Sequence, residues 1–121
     1  MEFYARINSD VGVLDIQEQI SIESLPAFCR FIASVAPGSH GGMEMFSDWG
    51  THTVNRELIR QGLRFTLPGC PNALAWTITT EGHGELVFHA VINRETHEPD
   101  FIETLEQFTS DWESGLARAF S

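Results

Sequence analysis

Apolar residues recur at intervals of three and four near the C-terminus, and no other feature constrains the fold of this chain as strongly. They are Phe101, Ile102, Leu105, Phe108, Trp112 and Leu116. This spacing predicts an amphipathic helix of about five turns. Pro99 fits the first turn of that helix, where a missing amide proton costs nothing. Because a helix must bury its apolar stripe against a second layer, the rest of the chain has to supply one.

The residues before this helix predict a sheet. Residues 73–80 and 85–93 have the composition of strands, and a glycine-containing turn joins them into a hairpin. One face of the second strand carries Leu86, Phe88, Ala90 and Ile92. Val87 and Val91 make its other face apolar as well, which predicts a central strand covered on both sides.

The N-terminal half predicts two strands, a helix and a loop. Residues 2–7 and 11–20 are rich in strand formers and predict a hairpin. Its second strand would bury Leu14, Ile16 and Ile20. Ser24 can cap a helix that continues to Val35. Residues 37–50 follow as an apolar, glycine-rich loop, which is a candidate binding element.

Residues 53–61 fit either a short helix, which we favour, or a strand. Residues 63–67 predict a further strand before the hairpin. The predicted order is therefore strand, strand, helix, short helix, three strands and long helix. This order is typical of an α+β fold, with an antiparallel sheet of about five strands and helices packed on it. We expect residues 1–121 to form a single domain.

Charge and missing motifs exclude several classes of function. The net charge of −10 has the wrong sign for holding a phosphate backbone, so we expect no direct nucleic-acid binding. The chain has no lysine, which excludes a Schiff-base lysine and a phosphate-loop lysine. The motifs of the common enzyme classes are absent too. With no signal peptide and no apolar run long enough for a membrane span, we expect a cytoplasmic protein.

A family resemblance involves the last strand and helix. The sequence here resembles the closing strand and helix of peptide-synthetase condensation and epimerisation domains. The matching positions are residues 84–88, Asn93, residues 96–97, residues 102–105 and Phe108. The resemblance implies a chloramphenicol-acetyltransferase-like fold. That family's catalysis depends on an HHxxxDG motif, which this chain lacks. The resemblance therefore implies a binding or accessory module without catalytic machinery, and it assigns no catalytic residue.

Metal-ligating residue types recur every four positions, as His40, Glu44, Asp48 and His52. On one helix these side chains would share a face and could bind a metal ion. Gly41, Gly42 and Gly50 make that helix improbable. We therefore expect ordinary loop residues, and neither a metal nor a cofactor.

Two groups of side chains are candidate anchors for a small molecule. His89 could line a pocket together with Thr77 and Thr79 on the paired strand, although a packing histidine is the alternative. The cationic cluster consists of three arginines four residues apart, Arg56, Arg60 and Arg64. Such a cluster could clamp a carboxylate or phosphate, or form salt bridges within the fold.

Two surfaces are candidates for contact with a protein. The first is the apolar part of the loop, Met43, Met45, Phe46 and Trp49. The second is the acidic face of the last helix, including Glu103, Glu106 and Asp111. That face could bind a basic partner or simply be solvated.

The absence of catalytic motifs and the strong charge asymmetry favour a non-catalytic interaction or regulatory domain. We expect this domain to form a homodimer and to bind an unidentified protein partner. A variant is an acidic inhibitor of a basic or nucleic-acid-binding protein. The alternative is a small-molecule-binding domain or minor enzyme, with a pocket between sheet and C-terminal helix anchored by His89 and an arginine. Solid packing of that space would exclude the pocket, and the side chains able to fill it are Trp76, Phe88, Phe108 and Trp112.

Overall fold

The computed structural model describes residues 1–81, 83–93 and 98–121. Of the helices in these ranges, none is both long enough and apolar enough to cross a membrane. In chain order the elements are β1 (Glu2–Asn8), α1 (Val13–Gln19), α2 (Leu25–Phe28), β2 (Ile32–Pro37), β3 (Met43–Ser47), β4 (Gly50–Ile59), β5 (Gly62–Thr66), β6 (Ala75–Thr80), β7 (Glu85–Val91) and α3 (Pro99–Phe120).

The strands form a seven-stranded antiparallel sheet in the order β1-β7-β6-β5-β4-β3-β2. From β2 to β7, each strand pairs with the next one along the chain, as short connections favour. β1 lies at the edge beside β7, with Ala5 opposite Phe88. The predicted α+β class, with an antiparallel sheet and a C-terminal helix, is confirmed, but the sheet has seven strands rather than five.

The core lies between α3 and the inner face of the sheet. The apolar stripe of α3 is buried as predicted, with 0% exposure at Leu105, Phe108, Trp112 and Leu116. The sheet contributes a buried row of directly opposed residues from four strands, Ala5, Phe88, Ile78 and Leu63. Removing this apolar surface from water is the main favourable contribution to folding.

α2 packs directly on α3. At Gly115 of α3, an added Cβ would lie only 1.6 Å from the carbonyl oxygen of Phe28. A glycine is therefore required if the two backbones are to approach this closely. Cys29, which follows Phe28, is fully buried beside this contact.

The predicted second strand, residues 11–20, is instead α1. Ile16 and Ile20 are buried, as expected, but they are four residues apart and fit one helical stripe equally well. Leu14, which the strand would bury, is 77% exposed. Contacts distant in sequence favour the helix, because the side-chain amide of Gln17 donates to two carbonyls of the β4–β5 turn at 3.1 and 3.0 Å.

The predicted helix from Ser24 to Val35 is wrong beyond its first turn, since α2 ends at Phe28 and β2 begins soon afterwards. The strand β2 pairs with β3, which lies inside the predicted loop of residues 37–50. Residues 53–61 belong largely to β4 rather than to a short helix. Here β3 and β5 pair with β4 on both sides, and these ladders outweigh a marginal helix.

Candidate functional site

A cleft of about 290 Å³ opens near the start of α3. Its walls come from the β3–β4 turn, the start of β4, the connection after β5 and the first turn of α3. The lining residues are Trp49, His52, Leu67, Cys70, Pro71, Asn72 and Phe101. A largely apolar wall with a few polar groups is the usual composition of a small-molecule site.

Trp49 forms a fixed aromatic wall of the cleft. Its indole N–H donates to Thr104 Oγ1 at 2.8 Å, which ties the β3–β4 turn to α3. The ring centroid of Trp49 lies 4.5 Å from that of Phe31, 5.0 Å from that of Phe108 and 6.2 Å from that of Phe101. With its polar atom satisfied and its ring packed, Trp49 gives the cleft a rigid apolar surface.

His52 lines the cleft and carries an unpaired ring nitrogen. The alternation of β4 places its side chain on the inner face, directly opposite Met45 and two residues before the buried Val54. His52 Nδ1 is shielded from solvent and has no hydrogen-bond partner among the described residues. A buried polar atom without a partner costs about 1–3 kcal/mol. A ligand hydroxyl could remove that cost, because a hydroxyl donates or accepts and so suits either imidazole tautomer.

The aromatic wall continues from the cleft into the core. The ring of Phe108 contacts both Trp49 and Trp76, with centroid separations of 5.0 Å in each case. The ring centroid of Trp76 in turn lies 6.3 Å from that of Trp112. The indole nitrogens of these two buried tryptophans lack hydrogen-bond partners within the described ranges. Buried Trp N–H groups normally have a partner, so the interior contains two more unused donors.

Protein side chains occupy the middle of the space where the pocket was predicted. Phe108 contacts Trp76 and Phe88, while Trp112 contacts Trp76 and Phe88, and all four are at most 1% exposed. The cleft at the start of α3 therefore lies at the end of this layer rather than at its centre. Entry to the deeper indole groups would require Phe108 to move.

The two cysteines lie in different environments. Cys70 lines the cleft and is only partly buried. Burial raises the pKa of the Cys29 thiol from its ordinary value of 9.0 to about 12. Because the thiolate is the reactive form, burial disfavours Cys29 as a nucleophile at neutral pH.

The predicted anchors on the hairpin lie on the outer face of the sheet, away from the cleft. His89 is paired with Thr77 across β6 and β7, and Thr79 is on the same face. The imidazole of His89 stacks on Tyr4 with ring centroids 4.3 Å apart, and its Nε2 lies 2.9 Å from Glu2 Oε1. The structure thus brings His89, Thr77 and Thr79 together, but on a solvent-facing surface.

The three arginines diverge rather than forming a clamp. Arg56 points to the inner face, where its Nε donates to the Ile20 carbonyl at 2.9 Å and its Nη2 to the Gln17 carbonyl. It thereby binds the carbonyl end of α1. Arg64 is on the outer face in an ion pair with Glu57 at 2.9 Å, and Arg60 is exposed beside the β4–β5 turn.

The predicted apolar contact patch is divided by the fold. Met45 is 0% exposed, and the partly buried Trp49 packs against the core and lines the cleft, so the two do not form a contact patch with Phe46. Met43 is half-buried, whereas Phe46 is 39% exposed on the opposite face of β3. On α3, Glu103 and Glu106 are exposed and Asp111 is partly buried.

The four-residue spacing of metal-ligating types does not produce a cluster. Glu44 lies on the opposite face of the sheet from Met45 and its neighbour His52. Across residues 1–81, 83–93 and 98–121, no group of three His, Cys, Asp or Glu side chains is placed to hold a metal ion.

Of the residues that line the cleft, the sequence singles out only Trp49, as part of a contact patch, and His52, as a metal-ligating residue type. The usable signal was the alternation in residues 52–58, because a strand places His52 on the same face as the apolar Val54. Choosing a helix for this segment concealed that relation. Phe101 and Cys70, which line the same cleft, come from segments distant in sequence. No local sequence pattern indicates that they lie near His52.

Two solved structures resemble this fold over nearly its whole length. One is a START superfamily protein from Mycobacterium smegmatis, with 13% identity and a TM-score of 0.60, covering 98% of this chain and 97% of that one. The other is protein MLL2253 from Mesorhizobium loti, with 13% identity and a TM-score of 0.58, covering 98% of each chain. At this identity the likeness shows the fold alone. No protein-family model and no curated protein matches the chain.

These neighbours overturn the resemblance to condensation and epimerisation domains. The chain has a helix-grip-like fold, an antiparallel sheet with a C-terminal helix, rather than a chloramphenicol-acetyltransferase-like fold. Of the residues that suggested the resemblance, 84–88, 102–105 and Phe108 belong largely to β7 and α3, Asn93 follows β7, and residues 96–97 lie outside the described residues. A strand followed by an amphipathic helix recurs in unrelated folds, so this local pattern could not distinguish them.

Proposed function

We propose that this chain binds a small, mainly aromatic molecule that carries a hydroxyl group, in the cleft near the start of α3. The observation that carries the proposal is the shielded, unpartnered Nδ1 of His52, a residue that lines an otherwise largely apolar cleft, so that a small turn of the imidazole ring would bring this atom to a ligand. Trp49 and Phe101 provide flat apolar surfaces for the ring system. The likeness to a START superfamily protein supports a ligand-binding domain rather than an interaction domain without a ligand.

The dimensions of the cleft restrict the ligand. A volume of about 290 Å³ is at the lower limit of the range for small-molecule sites. Among the described residues that line the cleft there is no arginine, so charge pairing with a carboxylate or phosphate is not part of this proposal. A neutral bicyclic alcohol has the properties that remain: flat, compact and able to form one hydrogen bond to His52.

The test compares 2-naphthol with naphthalene, which has the same rings but no hydroxyl. Binding to the full chain is followed by tryptophan fluorescence, since Trp49 lines the cleft. We expect 2-naphthol to bind about tenfold more tightly, because a net hydrogen bond contributes about 1 kcal/mol and its absence leaves His52 unpaired. His52→Phe should abolish this preference while retaining an apolar wall.

His89→Phe on the outer face is the matched control and should leave the preference unchanged. Equal affinities for the two probes in the natural chain would contradict the proposal. So would a preference for 2-naphthol that persists in the folded His52→Phe variant.

A further inference from the structure

The two edges of the sheet differ in how they are protected. β2 has a bulge between Ile32 and Ser34 and ends at Pro37, and both features hinder the addition of another strand. β1 has neither. Its seven residues pair with β7 in an unbroken register from Glu2 to Asn8. β1 is therefore the edge that is suited to accept a further strand.

The free backbone groups of β1 can be assigned. Ser9 N donates to Gly84 O at 2.9 Å and Ile92 N donates to Met1 O at 3.0 Å, so odd-numbered residues bond to β7. Alternation in an antiparallel ladder then directs the N–H and C=O groups of the even-numbered residues outward. These residues are Glu2, Tyr4, Arg6 and Asn8. Within the described ranges their outward backbone groups meet no other strand, because β1 is the last in the sheet.

A groove of about 410 Å³ runs beside this edge, between β1 and the exposed side of α3. The residues that line it are Glu2, Phe3, Tyr4, Glu106, Thr109, Ser110 and Glu113. Three of these are carboxylates and none is basic. Phe3 provides a half-buried apolar surface, and Tyr4 is 53% exposed. The charge of the groove is complementary to a basic ligand.

We propose that an extended basic segment of a partner protein adds to β1 as an eighth strand. The free N–H and C=O groups of β1 would form the ladder, and alternate Lys or Arg side chains would face Glu106 and Glu113. A second copy of this chain is a poorer occupant. Two-fold pairing of β1 with its copy would bring the carboxylates of two α3 helices toward each other.

The test uses the full chain and a capped seven-residue peptide that alternates lysine and valine. A peptide that alternates glutamate and valine is the control. Amide signals and amide hydrogen exchange are measured by NMR. We expect the lysine peptide to shift the amides of Glu2, Tyr4, Arg6 and Asn8 and to slow their exchange at least tenfold, because these N–H groups become hydrogen-bonded. The amides of Phe3, Ala5 and Ile7 already bond to β7 and should change little.

A double substitution, Glu106→Gln with Glu113→Gln, should weaken binding of the lysine peptide about tenfold. Glu18→Gln with Glu23→Gln removes the same charge from exposed positions outside the groove and should have little effect. The proposal is overturned if the even-numbered amides do not respond or respond equally to the glutamate peptide. Concentration-dependent shifts of these amides without peptide would identify a second copy as the occupant and would also overturn it.

Discussion

The two faces of the sheet differ in how completely their polar side chains are paired. On the outer face, a row of directly opposed residues crosses five strands, Tyr4, His89, Thr77, Arg64 and Glu57. Ion pairs or hydrogen bonds join His89 to Glu2, Arg64 to Glu57 and Arg6 to Glu85. On the inner side, Arg56 has carbonyl partners, but His52 Nδ1 and the indole nitrogens of Trp76 and, on α3, Trp112 have no partner in the described part of the chain.

This difference shows where a ligand would gain most. Water and neighbouring side chains already satisfy the outer face, so a hydrogen bond to His89 would replace an existing one at little net gain. A hydrogen bond to His52 would satisfy an atom that has no partner among the residues that the structure describes. Under the proposed function, the polar residues of the outer face are therefore a poorer guide to the ligand than the unpaired Nδ1 of His52.

The largest expected contrast between interior and cleft is in thiol reactivity. With a pKa of about 12, Cys29 is thiolate in only about one molecule in 10⁴ at pH 8, and it is also buried. One equivalent of an aromatic disulfide reagent should therefore react at Cys70, and the second only after unfolding. The Cys70→Ser variant should lose the fast reaction. Rapid reaction of two thiol equivalents in the folded natural chain, or a fast reaction that persists in Cys70→Ser, would contradict the difference in reactivity between Cys29 and Cys70.

The same pKa predicts the sign of a pH effect. The unfolded thiol ionises near its ordinary value of 9.0 and the folded one near 12, so the unfolded state releases its proton first. The free energy of unfolding should consequently fall as pH rises from about 9 to 12. Urea unfolding across this range measures the change, and Cys29→Ala should lessen the slope. An unchanged slope in that variant would show that other groups cause it.

Removing an aromatic ring should distinguish the two faces by stability. Phe108→Ala should lower the free energy of unfolding by about 3–5 kcal/mol, because it leaves a cavity among Trp49, Trp76 and Phe88. Tyr4→Ala on the outer face should cost less than about 1 kcal/mol, since Tyr4 is 53% exposed. Urea denaturation of both variants provides the comparison, and similar losses would contradict a packed inner face.

Gly115→Ala tests the close approach of α2 and α3. The added Cβ would overlap the Phe28 carbonyl, so the backbones must separate, at a cost of about 1–3 kcal/mol. Gly69→Ala is the control, because an added Cβ there meets no atom within 4 Å. Thermal unfolding should show a lower Tm for Gly115→Ala alone. A Gly115→Ala variant as stable as the natural chain would contradict this packing.

The smallest expected effect belongs to the outer ion pairs. Arg64 and Glu57 are about half exposed, so Arg64→Gln should cost only about 0.2–1 kcal/mol, and the difference should shrink in 1 M salt. Urea denaturation at low and high salt measures it. A loss as large as that of Phe108→Ala would mean that the outer face is structurally more important than its exposure indicates.

Much of the C-terminal half of the fold could be predicted from sequence, because local patterns there agree with the final packing. The strand-forming residues and the glycine-containing turn of the 73–93 hairpin, and the helical spacing of the stripe of α3, indicate the elements that the structure contains. In the N-terminal half, Ile16 and Ile20 fit a strand face and a helix stripe alike. The choice depends on Gln17 and Arg56, whose partners are 36 to 45 residues away. No local pattern contains that information.

The candidate site was harder to predict because its defining property is a missing hydrogen bond. His89 and the arginines were conspicuous in the sequence, yet the fold gives His89, Arg56 and Arg64 partners. His52 was considered only as a possible metal ligand. Whether its Nδ1 has a partner depends on three segments that meet at the start of α3, which sequence periodicity does not report.

The most direct measurement of the central claim is a long-range ¹H–¹⁵N NMR spectrum of the imidazole rings with and without 2-naphthol. We expect the Nδ1 signal of His52 to move as this atom gains a hydrogen bond, while the signals of His89 stay in place. An unmoved His52 signal at saturating 2-naphthol, or an equal response from His89, would contradict the assignment of the cleft as the binding site.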